Sequence, residues 1–123
     1  MINDSKTPSI QRLKLRSDFL AIAKGKYFRS NALSLQARER VTGSPIGIRV
    51  GFTCSKKVGN AVARNSAKRR LREAARICLF QLGRPGWDYV LIGRSQKTQT
   101  VNFDELLRNL CESIQKIHES SSK

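Results

Sequence analysis

Between Ser55 and Arg76 the chain places Lys56, Lys57, Arg64, Lys68, Arg69, Arg70, Arg72 and Arg76 against a single acid, Glu73. Arg64, Lys68, Arg72 and Arg76 recur every fourth residue, so on a helix they form one slowly drifting stripe. Like charges at i,i+4 destabilise an isolated helix by about 0.2–0.5 kcal/mol per pair. A run of such pairs without acids makes sense when an external anion neutralises it. Arginine grips phosphate oxygens bidentately and lysine supplies a compact point charge. Asn60 and Asn65 add amides able to hydrogen-bond phosphate, ribose or base edges. The chemistry on offer is polyanion binding.

Catalytic groups are missing by the same test. His118 is the only histidine, and its place near the chain end predicts a surface residue rather than a general base. The acids are scattered, with no pair spaced for acid–base or two-metal work. The segment from Gly51 to Lys57 lacks the glycine that a P-loop sets directly before its lysine. Cys54, Cys78 and Cys111 match neither a zinc spacing nor a disulfide framework, and reduced thiols are expected. No catalytic and no metal-ligating residue is assigned.

The whole chain carries 24 Lys or Arg against 9 Asp or Glu in 123 residues, a formal net charge of +15. Residues 1–80 hold 18 basic and 4 acidic side chains, whereas 81–123 are nearly balanced. The anion therefore meets the first two thirds. The length suits one domain. Apolar runs such as Val90-Leu91-Ile92 are too short to cross a bilayer, and charges through the first 20 residues exclude a signal peptide there. A soluble, cytoplasmic protein is expected.

The elements that must position the basic segment follow from periodicity. Residues 1–11 read as a flexible polar tail. Ser17 is the expected N-cap of a short helix through Phe19, Leu20 and Ile22, stopped by Gly25. Leu33, Leu35 and Ala37 alternate with Ser34 and Gln36 as a strand with one buried face. A turn at Thr42–Pro45 leads to a second alternating strand, Ile46–Cys54, in which Phe52 faces the core. Helical spacing predicts a helix from Asn60 to about Leu82, with Val62, Leu71, Ala74, Ala75, Cys78 and Leu82 on its buried side. Gly83–Gly86 ends it. Tyr89–Ile92 reads as a strand buried on both faces. Asn102 and Glu105 are a capping pair for a last helix carrying Leu106, Leu110, Ile114 and Ile117. Residues 118–123 are expected to fray. The two strands flanking the basic helix should be parallel. The class is α+β, one small sheet with helices laid upon it.

The run Ser55-Lys56-Lys57-Val58-Gly59-Asn60-Ala61-Val62, followed by Arg64-Asn65, Lys68-Arg69 and Arg72-Glu73, resembles the signature of the bacterial ribonuclease P protein subunits. Arg12-Leu13-Lys14 before Asp18-Phe19, Val50–Thr53 and Asp88–Ile92 extend the resemblance over nearly the whole chain. It implies a single-domain α/β sandwich over residues 12–117, a small mixed sheet in the order αβββαβα, like a ribosomal-protein domain, with a left-handed basic crossover helix. It also implies a function, in which the protein assists a catalytic RNA in removing the 5′ leader of precursor tRNA. Mg²⁺ would be held by that RNA and one protein would bind each catalytic RNA; the protein alone would be inactive. Lys56, Lys57, Asn60, Arg64, Asn65, Lys68, Arg69 and Arg72 match the family's RNA-contacting positions, and the stripe adds Arg70 and Arg76. Phe19 matches an aromatic of the leader cleft, which Ser34 and Gln36 would also line. Three departures from the family pattern involve four residues. Ser66 replaces an arginine, Ala23 replaces a second cleft aromatic, and Ser34 with Gln36 make the cleft polar. A ribosomal assembly protein shares the charge but has no use for a leader cleft, and a major-groove DNA binder wants a dimer, for which the sequence shows no seam.

Overall fold

A computed structural model describes residues 10–40 and 47–121. In chain order the elements are β1 (Ile10–Arg12), α1 (Arg16–Ala23), β2 (Lys26–Arg29), β3 (Leu33–Glu39), β4 (Ile48–Cys54), a 3₁₀ turn (Lys56–Val58), α2 (Ala61–Leu82), β5 (Trp87–Gly93), α3 (Lys97–Thr100) and α4 (Phe103–Ser121). The strands form one mixed sheet in the order β1-β4-β5-β3-β2. The β4–β5 and β1–β4 pairs are parallel, and β5–β3 and β3–β2 are antiparallel. The expected parallel pair around the basic helix is therefore present, joined through α2.

Alternation along each strand separates two faces. On one face Leu33, Leu35, Ala37, Ile48, Val50, Tyr89 and Leu91 pack with Leu71, Ala74, Ala75, Cys78 and Leu79 of α2, and with Leu106, Leu110, Ile114 and Ile117 of α4. On the other face Val90 and Ile92 meet Leu13 and the α1 residues Phe19 and Ile22. The result is three layers, α1, sheet, and the α2/α4 pair. β5 sits centrally and is buried from both sides, as its unbroken apolar run predicts.

Helix ends carry the capping chemistry in part. Asn60 caps α2, its Oδ1 accepting the Ala63 N–H at 2.9 Å, and Asn102 Oδ1 accepts the Glu105 N–H at 2.8 Å. Glu105 does not return the bond; its Oε2 accepts from Asn31 Nδ2 at 2.9 Å, which fastens α4 to the β2–β3 turn.

Several expectations are corrected. Ile10 and Gln11, assigned to the tail, lie in β1 beside β4, and β2 forms where only the end of a helix was read. Both strands are too short to show a period. α1 starts from Leu15, whose side chain makes no cap, and Ser17 lies inside the helix. Val62 is 77% exposed, because nine residues before Leu71 it lies about half a turn around α2 from the buried stripe. α4 runs through Ser121 instead of fraying at 118, and His118 is buried. The Thr42–Pro45 turn and residues 1–9 lie outside the described residues.

Candidate nucleic-acid interface

The 3₁₀ turn and α2 hold the basic run in a fixed frame. Ser55 Oγ accepts the Lys57 N–H at 3.2 Å, Ser95 Oγ donates to the Lys57 carbonyl at 2.9 Å, and Arg64 donates to the Gly59 carbonyl at 2.8 Å. Gly59 has φ 144°, a conformation glycine tolerates. Lys56, Lys57, Asn65, Arg69, Arg72 and Arg76 are exposed, while Arg64 and Lys68 are half-buried. Burial pushes the Cys54 thiol pKa up; its hydrogen bond with Gly93 and the nearby charges of Lys68 and Arg64 oppose the shift. Those two cations thus lie over the end of β4. One turn further on, Arg72 and Arg76 border a groove with Ile10, Arg12, Val50 and Phe52. The stripe runs along the β1/β4 side of α2.

Three predicted residues are engaged within the protein itself. Arg70 points to the opposite side of α2, where its guanidinium donates to the carbonyls of Thr98 at 2.9 Å, Gln99 at 2.5 Å and Val101 at 2.7 Å. It closes the C-terminal end of α3, whose last carbonyls have no helical partner. Asn60 spends its Oδ1 on the α2 cap, leaving its NH₂ as the donor for a ligand. Arg76 is ion-paired with Glu73, both exposed.

The second surface is the sheet face beneath α1. Phe19, half-buried, lays its ring on Gly51 so closely that a Cβ there would stand 2.5 Å from two ring carbons. Ser34 is buried and Gln36 half-buried on the same face. Tyr27, on edge strand β2 and 55% exposed, donates its hydroxyl hydrogen bond to Ser34 Oγ at 3.1 Å. Phe19, Ser34 and Gln36 are therefore brought to one face, and Tyr27 joins them as an aromatic at its margin. The alternation of β3 carried this placement for Ser34 and Gln36; four-residue β2 carried no such signal for Tyr27.

An ion network fixes α1 over this face. Asp88, 1% exposed, accepts from Arg40 Nη1 at 2.5 Å and from Arg49 Nε and Nη2 at 2.8 and 2.7 Å. Arg49 also faces Asp18 of α1 at 3.6 Å. The hydrogen bond to Asp88 raises the Arg49 pKa above its ordinary value, against the effect of burial. At the far end of the sheet, His118 Nε2 and the Tyr89 hydroxyl are 2.7 Å apart. Burial, then the charge of Arg84, lowers the His118 pKa to about 4, so the imidazole is neutral at pH 7. It is a core residue, with Trp87 edge-on at 4.5 Å between ring centroids. Cys78 and Cys111 are free thiols 2.7 Å apart between α2 and α4. Among the described residues no three His, Cys, Asp or Glu side chains are grouped to hold a metal ion, and no helix is long and apolar enough to cross a membrane.

Residues 8–118 match the family model described as Ribonuclease P. The chain is 58% identical over 109 residues to the ribonuclease P protein component of Ruegeria pomeroyi, a match spanning 89% of this chain and 87% of that one. It is 50% identical over 88 residues to the ribonuclease P protein component of Caulobacter vibrioides, spanning 72% of this chain and 58% of the longer relative. The solved structure of the RNase P protein from Thermotoga maritima superposes with a TM-score of 0.73 at 31% identity, covering 87% of this chain and 97% of that one.

Proposed function

Because this chain belongs to the ribonuclease P protein family, a component of a tRNA-processing ribonuclease that acts with an RNA subunit, we propose that it docks on that catalytic RNA through α2 and guides the single-stranded 5′ leader of precursor tRNA across the α1 face of the sheet. The observation that carries the reading is the stripe Arg64–Lys68–Arg72–Arg76, held in a rigid frame with one acid beside it. Arg64 is held by the Gly59 carbonyl and Arg76 by Glu73, so these two side chains lose less freedom on meeting a phosphate. Lys56 and Lys57, at the exit of β4, lie at the junction of the two surfaces, where one RNA would pass to the other.

The leader cleft combines a small aromatic platform with polar walls. Phe19 is pinned by Gly51 and Tyr27 is tethered by Ser34, giving two π-surfaces for bases. Ser34 and Gln36 add hydrogen-bond capacity in place of further stacking. Arg49 and Asp18 tie α1 to β4 beside this face. Arg70 acts as a positioning residue that braces α3 against α2.

The hydrolytic chemistry belongs in this reading to Mg²⁺ held by the RNA subunit, as the family resemblance implies. The protein's own part is binding and orientation, one protein on each catalytic RNA. Reconstitution tests it directly. The protein alone should leave precursor tRNA intact, yet restore 5′ maturation by the catalytic RNA at low Mg²⁺. A reaction unchanged by the protein would refute the proposal.

A further inference from the structure

We propose that the groove between β1 and α2 is a pocket for one unstacked nucleotide of the catalytic RNA, its base on Phe52 and its phosphate on Arg12 and Arg72. The inference rests on the RNA-docking reading of α2 and adds to it a base-accepting site. The cavity measures about 300 Å³ and is floored by Ile10, Val50 and Phe52, with Arg12, Arg72 and Arg76 at its rim. That volume lies at the small end for ligand pockets. An apolar floor under guanidinium groups complements a nucleotide in both halves, since a base has an apolar π-face and its phosphate is anionic.

Charge and geometry select this occupant. The Arg12 guanidinium already lies 5.8 Å from the centroid of the Phe52 ring, so the ring is presented to the groove face and not sealed in the core. Glu73, the acid of the groove, is engaged by Arg76. Among the described residues neither Arg12 nor Arg72 has a carboxylate partner, which leaves both for phosphate. A second copy of the chain would bring another +15 to this surface and is repelled. The direction of the groove identifies the RNA. Val50 and Phe52 flank Gly51 on β4, and Gly51 faces Phe19 on the other side of the sheet. A leader lying against Phe19 is therefore separated from the groove by the sheet, whereas an RNA docked on α2 meets it directly.

The experiment uses the full chain with two probes, a bacterial ribonuclease P RNA transcript containing 4-thiouridine and a short single-stranded leader RNA. Phe52→Leu keeps the floor apolar and removes the stacking surface. It should weaken transcript binding about fivefold to a hundredfold, the range for losing one base–aromatic stack, without changing the slope of log K against log salt. Leader affinity should stay the same, and photocrosslinks from the transcript should fall on Ile10–Arg12 or Phe52. Ile10→Ser, at the sheet edge, should act in the same direction and serves if Phe52→Leu fails to fold. Binding within twofold of the parent for the folded variants, while Arg64→Ala still weakens it, would overturn the pocket and leave α2 docking intact. Loss confined to the leader RNA, or a dimer in gel filtration that the substitution dissociates, would overturn the proposed occupant. If the parent itself fails to bind the transcript, the docking reading falls first.

Discussion

Replacing Asp88 by Asn tests the network that holds α1 over the sheet. The substitution keeps the side chain's volume and removes its charge. Arg40, with 5% of its side chain exposed, loses its buried carboxylate and keeps hydrogen bonds to the carbonyls of Gly47 and Trp87. Removing one partner of a buried ion pair costs about 3–5 kcal/mol, because the remaining charge stays desolvated. Arg49 suffers less. It is 26% exposed and retains Asp18 at 3.6 Å, so its share should not exceed about 1 kcal/mol. A total of about 3–6 kcal/mol is a large part of the roughly 5–15 kcal/mol typical of a domain. At about 4 °C per kcal/mol for a chain of this size, the thermal midpoint should fall by about 12–24 °C. Thermal unfolding followed by circular dichroism at pH 7 measures the midpoint, and urea titration the free energy. Asp18→Asn is the control, since it makes the same change in net charge at a half-exposed site, and it should cost less than about 1 kcal/mol. Equal losses in the two variants would show that general self-repulsion, and not the buried pair, sets the cost.

Gly51→Ala would place a Cβ 2.5 Å from the Phe19 ring, so it should destabilise by about 1–3 kcal/mol and weaken leader binding. Adding Phe19→Leu should recover part of the stability, and strictly additive losses in melting experiments would refute the contact. His118 has its folded pKa lowered to about 4 from an ordinary 6.5. Its stabilising contribution is therefore complete above pH 6.5 and declines as the pH falls through 4, by on the order of 3 kcal/mol. His118→Gln should flatten that part of the urea-midpoint profile, and an NMR imidazole titration near 6.5 would contradict the assignment. Arg64→Ala and Lys68→Ala should each weaken RNA binding and reduce the salt slope by about 0.7–0.9; unaltered slopes would remove the stripe from the interface. Arg70→Met should loosen α3, seen as faster amide hydrogen exchange at Thr98–Val101, and should leave the salt slope nearly unchanged. A slope reduced as far as in Arg64→Ala would place Arg70 on the RNA instead.

The parts legible in the sequence were those with long periods. α2, α4, β3 and β4 each repeat a buried residue often enough to declare their type, β5 declares itself by an unbroken apolar run, and the four-residue spacing of the stripe survives into three dimensions. β1 and β2 were not legible, since three or four residues cannot establish alternation and their pairing depends on distant partners such as Ile48 and Ala37. His118 was misjudged for a related reason: its neighbours Ile117 and Glu119 do not reveal that Tyr89 and Trp87 arrive from the sheet to bury it. Spacing alone also treats the cations of α2 as equivalent. Arg70 differs from Arg72 only through α3, whose carbonyls draw one guanidinium to the far side of the helix.

The way arginines are anchored here has a consequence for how the molecule responds to salt. Arg64, Arg70 and Arg94 are held by main-chain carbonyls, Arg94 by those of Ser30 and Asn31. A carbonyl fixes a guanidinium without cancelling its charge, as a carboxylate would. The scaffold can therefore be rigid and still project an almost undiminished positive field. Mobile ions screen that field strongly but weaken short hydrogen bonds little. Raising ionic strength should strip the protein from RNA while relaxing its internal repulsion, so that release and firmer folding arrive together.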